Sequence, residues 1–300
     1  MKIFPVKIEA KCLGCEKCKA VCPRHISQID PDEHLSECIS CFQCYAVCPN
    51  NAITFSKKEL EETGPLPAID KDDLKSFLAF RRSNRLFSTK PVKRETIVEL
   101  IHSAQHIPSG GNAHNCKFTI ITDQEVKNRL LQLIKKRYVL QFKFLQVPIM
   151  RFILTLFTDP VTRAFLNDRE YLKRIIPLVE GMKNGKDLVF YNAPVVIAVH
   201  SDQLIPTPGP DSILAAYNIV LMAHAMGMGT CFVSMVQNAV NNSNKCRALL
   251  KLGRRERVHA VILLGHNKLK YQRPIPMFRE DHYRFIKISD IEKRMFPCST

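Results

Sequence analysis

The chain has 300 residues, enough for about two domains of ordinary size, and 46% of them are hydrophobic while 24% are charged. This balance excludes an intrinsically disordered or fibrous protein. Lysine and arginine outnumber aspartate and glutamate by 44 to 28, a formal net charge of +16, so nucleic acid and anionic membrane surfaces must be considered as partners.

The first residues, Met1–Lys7, contain no apolar run of the signal-peptide type, so the sequence predicts a cytoplasmic protein with reduced cysteines. Two apolar stretches, 138–158 and 212–244, have the length of membrane spans. Lys143 interrupts the first, and Gly227 ends any helix in the second. Because a span needs about 20 continuous apolar residues, we expect no transmembrane helix.

Eight of the twelve cysteines lie in a repeat, because residues 12–23 and 38–49 both follow the pattern C-x2-C-x2-C-x3-C-P. Two-residue gaps let one tight loop wrap three corners of an iron–sulfur cube, and the cysteine before proline turns away to a second cube. Zinc ribbons instead separate two C-x2-C pairs by a longer loop. The pattern therefore predicts two [4Fe–4S] clusters with crossed ligands. The first cluster's ligands are Cys12, Cys15, Cys18 and Cys48, and the second cluster's are Cys38, Cys41, Cys44 and Cys22.

Residues 1–56, including the sequence Cys48-Pro-Asn-Asn-Ala-Ile53, resemble bacterial two-cluster ferredoxins. The resemblance implies a ferredoxin-like domain over residues 1–58, followed by an acidic, proline-containing linker at 59–70. Such a domain carries electrons one at a time and does no bond chemistry. The rest of the chain is therefore expected to use the electrons.

After the linker, short periodic segments alternate between helix and strand patterns. Apolar spacings of three and four residues predict helices at 71–80, 94–106 and 212–226. Short β-branched runs predict strands at 117–122, 194–200 and 259–265. This mixed order favours an α+β fold over a doubly wound sheet, and no G-x-G-x-x-G or Walker A sequence predicts a nucleotide site.

Two motifs in this second part suit a phosphorylated planar ligand. Arg81-Arg-Ser-Asn-Arg85 places two guanidinium groups and a hydroxyl on one side of an extended chain, which suits a phosphate dianion. The alternative is that these arginines follow a helix C-terminus because they interact favourably with its dipole. Pro108-Ser-Gly-Gly-Asn112 is a turn whose glycines let backbone approach a ring.

With the segment Ala225–Cys231 and the tail Leu264–His266, these motifs make residues 71–280 resemble the FMN-dependent nitroreductase family, in members fused to an N-terminal ferredoxin. The resemblance implies an α+β domain over 71–300, with a mixed central sheet flanked by helices. It also implies an obligate homodimer with FMN at the subunit interface. The flavin N5 would carry the chemistry, so no catalytic side chain is expected.

The resemblance also assigns FMN contacts by position. Residues for the phosphate and ribityl chain are Arg81, Arg82, Ser83 and Arg85, and those for the wall around the ring are Pro108, Ser109 and Asn112. The segment with Gly229, Ser234 and Met235 would place its backbone near the flavin N5. Arg273 or Arg279 would supply a further positive charge to the phosphate. His114 stands beside the ring motif, whereas Cys116, Cys231, Cys246 and Cys298 have no ligand spacing and are expected to be inert thiols.

Residues 127–186 form a basic insertion in this domain, with 13 lysines and arginines against 4 acidic residues. By family position the insertion is a variable lid over the flavin. Its charge fits a solvated helical hairpin, a docking face for an acidic redox partner, or peripheral contact with a membrane surface. It contains no nucleic-acid-binding signature, so nucleic acid is not an expected partner.

The sequence thus predicts an FMN-dependent oxidoreductase that reduces nitroaromatics, quinones or related small-molecule acceptors. Electrons would come from a ferredoxin or other redox protein, or from NAD(P)H, with the two clusters as a relay. Two alternatives remain open: an electron-transfer module for a protein partner, and a flavoenzyme that removes a halogen or saturates a C=C bond.

Overall fold

The structure is a computed structural model that describes residues 5–24, 26, 38–55, 67–156, 163–164, 167–276 and 285–286. The chain divides into two compact units. One contains Met1–Ala68 and Arg82–Lys270, and the other contains Ile69–Arg81 and Tyr271–Thr300. The predicted linker at 59–70 lies mostly outside the described residues, so the predicted domain boundaries stay predictions.

The cysteine-rich segment forms a small pseudo-symmetric fold within the first unit. Strands β1 (Pro5–Lys7) and β2 (Ile53–Phe55) pair antiparallel and join its two ends. Each cysteine repeat contributes one short helix, α1 (Lys17–Ala20) and α2 (Gln43–Val47). The repeats also share their backbone conformation, because Gly14 and Ser40 have φ values of 64° and 53° at equivalent positions.

A four-stranded sheet forms the centre of the rest of the first unit. Its strands are β3 (Lys117–Ile121), β4 (Val195–Asp202), β5 (Met228–Phe232) and β6 (Glu256–His266), in the order β3-β4-β6-β5. All three pairings are antiparallel. Among the described residues, the parallel component of the predicted mixed sheet is an isolated bridge between Ser83 and Thr230 at the free edge of β5.

Helices cover both faces of this sheet because its central strands are apolar on both sides. Val195, Ile197 and Val199 of β4 pack with α4 (Arg94–Ser103) and α8 (Pro208–Ala225). Val196 and Ala198 point to the opposite face, as the two-residue period of a strand requires. That face is covered by the helices α5 (Gln124–Gln146), α9 (Ser234–Asn241) and α10 (Asn244–Leu249). The predicted α+β class is confirmed.

The basic insertion is largely helical where it is described. It contains most of α5, together with α6 (Pro148–Leu156) and α7 (Arg169–Lys183). Leu130 and Ile134 anchor α5 to the core, whereas Ile149 of α6 is 62% exposed. No helix among the described residues is long and apolar enough to cross a membrane. The roles considered for the insertion stay predictions.

The second unit contains α3 (Lys71–Phe80) and the start of the C-terminal segment. The Asp70 carboxylate caps α3 by accepting hydrogen bonds from the amides of Asp72 and Asp73, at 2.7 and 3.2 Å. The Ile275 amide donates to the Ala79 carbonyl at 3.4 Å, which ties residues 271–276 to the end of the helix.

Candidate functional site

The eight repeat cysteines line two cavities in the described part of the chain. One cavity is lined by Cys12, Cys15, Cys18 and Cys48. The other is lined by Cys22, Cys38, Cys41 and Cys44, and Cys18 lines both cavities. No group of three His, Cys, Asp or Glu side chains in the described ranges is arranged around a single metal ion. The cysteines instead line the two cavities in groups, and four thiolates for each iron–sulfur cube is the number that such clusters bind.

Backbone amides point at the cysteine sulfurs in equivalent positions of the two repeats. Gly14 donates to Cys12 Sγ and Ser40 to Cys38 Sγ, both at 3.4 Å, and Ala52 donates to Cys48 Sγ at 3.2 Å. Partial burial raises the pKa of Cys48, but amides of residues 50–53 outweigh it, so the pKa lies below its ordinary value. Donors of this kind stabilise a thiolate, which is the form that binds iron.

Cys44 has the opposite electrostatic environment. Burial raises the pKa of its thiol to about 11 in the absence of a metal. A bound cluster would deprotonate such a thiol outright because the iron charge is the largest local charge.

Two of the predicted phosphate-binding residues, Ser83 and Arg85, lie in the segment that runs beside the free edge of β5. Ser83 bridges Thr230, and the Asn84 amide donates to the Thr230 carbonyl at 2.7 Å. The Arg85 guanidinium is 6.0 Å from the centre of the Tyr191 ring and the residue is exposed. Burial raises the pKa of the neighbouring Cys231 thiol, while Arg85 and Ser83 act to lower it. An exposed guanidinium beside a hydroxyl can accept an anion at this edge.

Gly229, Ser234 and Met235 follow the same edge. A Cβ on Gly229 would lie 2.2 Å from Asn267 Oδ1 and 2.5 Å from Asn84 Nδ2, so any larger residue must displace these side chains. Ser234 and Met235 begin α9, whose first amides have no acceptor within the helix. The Met235 carbonyl accepts a hydrogen bond from the Tyr138 hydroxyl at 3.0 Å.

The turn Pro108–Asn112 is held elsewhere, against the start of α8. The Gly110 amide donates to Thr207 Oγ1 at 2.9 Å, and that hydroxyl donates to the buried Asp211 carboxylate at 2.7 Å. A side chain at Gly110 would collide with Thr207, since a Cβ would lie 2.2 Å from its Oγ1. The glycine at 110 therefore serves the packing of this turn.

The Asn112 side chain contacts the second cysteine repeat. Its Nδ2 donates to the carbonyls of Ile39 and Ser40, at 2.9 and 2.8 Å, and its Oδ1 accepts from His114 Nε2 at 2.8 Å. Next to this contact lies a cavity of about 780 Å³, a size typical of ligand sites. Its lining residues are Cys41, Phe42, Gln43, Ala104, Gln105, His106, Ile107, Pro108, Asn112, His114, Cys116 and Phe118.

Two family models match this chain. Residues 78–266 match the nitroreductase family, and residues 4–49 match a 4Fe–4S dicluster domain. The chain belongs to the nitroreductase family. The expected fusion of a two-cluster ferredoxin domain with a nitroreductase-family domain is confirmed, and with it the expectation of an oxidoreductase.

Individual relatives are distant. Iodotyrosine deiodinase of Danio rerio is 31% identical over 68 residues, which span 23% of each chain. A nitroreductase structure with bound FMN from Bacteroides fragilis NCTC 9343 has a TM-score of 0.50 and 16% identity, covering 71% of this chain and 98% of its own. Another with bound FMN, from Desulfitobacterium hafniense DCB-2, has a TM-score of 0.50 and 19% identity, covering 73% and 100%. Both structures share the fold of the nitroreductase-family domain.

In this nitroreductase-family chain, the candidate FMN residues fall into separate groups, one beside the edge strand β5 and one in the turn that is bonded to the start of α8. Ser83 extends the sheet beyond β5, whereas the turn Pro108–Asn112 precedes β3 at the other edge. Strands β3 and β5 are three strand spacings apart, or about 14 Å. Arg81 and Arg273 belong to the second unit, and Arg279 lies outside the described residues. Within one chain, Ser83 and the turn Pro108–Asn112 therefore lie apart from each other.

Several contacts of the nitroreductase-family chain carry no signal in the sequence. Tyr191 beside Arg85 and Phe42 in the large cavity belong to no recognisable motif. Asn112 is separated from Ile39 by 73 residues. The contact is a side-chain amide that donates to two backbone carbonyls. Because every loop has such carbonyls, the sequence does not identify the partner of Asn112.

Proposed function

We propose that this nitroreductase-family protein is an FMN-dependent oxidoreductase that reduces nitroaromatics, quinones or related acceptors. Its two [4Fe–4S] clusters would relay electrons from a ferredoxin, from NAD(P)H or from both. The observation that carries the proposal is the presence in one chain of a nitroreductase domain and a dicluster domain whose cysteines line two cavities. Because cluster thiolates must stay reduced, we propose the cytoplasm as its compartment.

The ferredoxin-like part has residues that fit two clusters. Each cavity offers four thiols, and amides of Gly14, Ser40 and Ala52 already point at three of the sulfurs. These donors would stabilise the negative charge of a reduced cluster and raise its reduction potential. The protein's task here is to hold the clusters and adjust their potential.

The nitroreductase-family domain has residues that fit a phosphorylated flavin. Arg85 and Ser83 would hold the phosphate, with Arg81 and Arg82 next to them in sequence. The amides that begin α9 at Ser234 and Met235 are positioned to donate to an acceptor atom. Bound FMN would supply the redox chemistry, because a flavin can take electrons one at a time from a donor and pass two to an acceptor. The chain's residues bind and orient the flavin and leave the reaction to it.

A second copy of the chain would complete this site. Ser83 and Arg85 lie at one edge of the sheet and the turn Pro108–Asn112 at the other, so a two-fold dimer brings the edge of one protomer to the turn of its partner. Helix α8 also leaves Ile213 and Leu214 exposed, at 47% and 42%. These apolar side chains support a homodimer in which α8 is covered.

A second reaction class is favoured by one observation. The 68-residue match to a relative named iodotyrosine deiodinase, at 31% identity, supports reductive removal of a halogen from an aromatic ring. This reaction takes two electrons and a proton for each carbon–halogen bond broken and releases halide. It would use the same flavin and the same donors.

Steady-state assays distinguish these reactions. Anaerobic holoprotein is supplied with reduced ferredoxin or NAD(P)H and tested on a nitroaromatic, a quinone and a halogenated phenol. We expect turnover of the nitroaromatic or the quinone. Halide release with little nitro or quinone reduction would favour the dehalogenase. Failure of all three acceptors, with the cofactors intact, would contradict both and favour a relay to a protein partner.

A further inference from the structure

The second cysteine repeat and the turn Pro108–Asn112 are joined by a pair of short hydrogen bonds. Asn112 Nδ2 donates to two successive carbonyls, those of Ile39 and Ser40, at 2.9 and 2.8 Å. Both N–H groups of the amide are thereby used. The two carbonyls lie between the cluster ligands Cys38 and Cys41, so the bonds hold the ligand loop itself.

The Asn112 side chain is oriented before it meets this loop. Its backbone has a φ of 55°, a conformation that asparagine tolerates better than most residues, and follows Gly111 at 59°. The Asn112 amide donates to the Ser109 carbonyl at 2.9 Å, and His114 Nε2 donates to Asn112 Oδ1 at 2.8 Å. With Oδ1 fixed by His114, the Nδ2 group can only face the loop.

The contact of Asn112 lies near one of the two cysteine sets and not near the other. The segment 41–43 lines both the cavity of Cys22, Cys38, Cys41 and Cys44 and the 780 Å³ cavity beside the turn. The cavity of Cys12, Cys15, Cys18 and Cys48 shares no lining residue with the cavity beside the turn. One cysteine set is thus next to the nitroreductase-family domain, and the other is not.

The first cysteine loop faces outward. Leu13 is 69% exposed, and Cys15, Lys11 and Lys17 are exposed with it. Exposed Glu9 and Glu16 lie in the same stretch, and an exposed apolar residue with such mixed charges around it suits a transient contact with a redox protein. The two loops therefore present different surfaces, one to solvent and one to the catalytic domain.

We propose that Asn112 is a positioning residue that docks the Cys38–Cys44 loop on the turn Pro108–Asn112. The cluster of Cys22, Cys38, Cys41 and Cys44 then lies beside the flavin domain, and the cluster of Cys12, Cys15, Cys18 and Cys48 meets the external donor. This inference rests on the proposed function, since it takes the cysteine sets to hold clusters and the turn to lie near the flavin.

The test uses full-length anaerobic holoprotein carrying Asn112→Asp or Asn112→Gly. Aspartate keeps the shape of the side chain but has no N–H to donate, and glycine tolerates the positive φ. Asn115→Asp, an exposed change three residues along the same segment, is the matched control. Loss of two hydrogen bonds corresponds to about a tenfold or larger fall in the ratio of docked to undocked protein.

Two readouts are compared. Amide hydrogen exchange in residues 38–44 should become about tenfold faster in both Asn112 variants and stay at the wild-type rate in Asn115→Asp. After rapid reduction with dithionite, the delay between cluster and flavin bleaching should lengthen in both Asn112 variants and not in Asn115→Asp, with the cluster spectra, the flavin spectrum, the FMN content and the iron content unchanged. A merely structural role would not lengthen this delay while leaving the cluster spectra intact.

Wild-type exchange and an unaltered delay in Asn112→Gly would overturn the proposal, as would faster exchange in residues 12–18 instead of 38–44. If Asn112→Asp loses its clusters, Asn112→Gly carries the comparison alone. Failure of the proposed function has a different signature, because the wild-type protein itself would then lack flavin or iron–sulfur absorption.

Discussion

Gly229 lies against the side chains of Asn84 and Asn267. Replacing this glycine therefore tests whether it is needed for packing. A Cβ there would approach Asn267 Oδ1 and Asn84 Nδ2 to 2.2 and 2.5 Å. We expect Gly229→Ala to lower the free energy of unfolding by about 1–3 kcal/mol, because buried Asn84 must move. Urea unfolding of the apoprotein measures this loss.

Gly209→Ala is the control for that substitution. Its Cβ would lie 3.6 Å from His259 Nδ1, an ordinary contact, and position 209 is in the first turn of α8. Its unfolding free energy should stay within about 0.5 kcal/mol of wild type. Equal losses for the two variants would show that Gly229 has no special packing role.

Arg85 is the exposed charge that we assign to the flavin phosphate. Arg85→Ala, alone and with Arg81→Ala, should weaken FMN binding by about 10- to 100-fold, the effect of one or two lost charged hydrogen bonds. The iron content should not change. FMN retention during gel filtration and titration of apoprotein with FMN measure the effect.

Arg129→Ala is the matched control, because Arg129 is an exposed arginine on α5 that pairs only locally with Glu125. It should retain FMN like wild type. Full FMN retention by the Arg81 and Arg85 double variant would refute the phosphate assignment.

At the scale of elements, three strands are linked by a chain of polar side chains at one end of the sheet. Lys117 of β3 pairs with Glu256 of β6 at 2.6 Å, and His200 of β4 lies 3.6 Å from the same carboxylate. Thr119 Oγ1 is 3.0 Å from His200 Nε2. Burial lowers the pKa of His200, and the hydrogen bond from Lys117 lowers the pKa of Glu256.

This cluster predicts that acid loosens the sheet in two stages. A group whose pKa is lower in the folded state stabilises the fold above its unfolded pKa, and this stabilisation is lost as the pH falls. The contribution of His200 should decline as the pH drops below about 6.5, and that of Glu256 below about 4.5. In His200→Leu the first decline should be shallower in urea unfolding measured between about pH 7.5 and 5.5, while His259, whose pKa burial also lowers, keeps its own contribution.

His102→Leu, an exposed histidine on α4, should keep the wild-type slope. The same slope in His200→Leu and wild type would contradict the role assigned to the cluster.

The local pattern of apolar and polar residues was enough to locate most helices and strands of the nitroreductase-family domain. The β-branched run at 194–200 became β4, since burial on both faces requires apolar residues at every position. The charge-free helix expected at 212–226 begins earlier, at Pro208, because proline fits the first turn of a helix. The antiparallel order β3-β4-β6-β5 could not be read from the sequence, because strand pairing joins residues between 30 and 83 positions apart along the chain.

At the scale of the whole molecule, the cysteine sets and the arrangement of the FMN residues differ in how far sequence could predict them. Each cysteine set comes from two repeats with fixed spacing, so spacing alone defines the crossed grouping. The candidate FMN residues belong to motifs that one chain places in separate parts of the domain. The contact of Asn112 with residues 39 and 40 depends on how two domains pack, which no local pattern encodes.

The central claim is that one chain couples two iron–sulfur clusters to a flavin. The most direct test is the cofactor content of anaerobically purified protein, measured as iron, acid-labile sulfide and FMN per chain. We expect about eight iron, about eight sulfide and about one FMN, with broad iron–sulfur absorption beneath the flavin bands. Zinc in place of iron, or iron without flavin, would contradict the account.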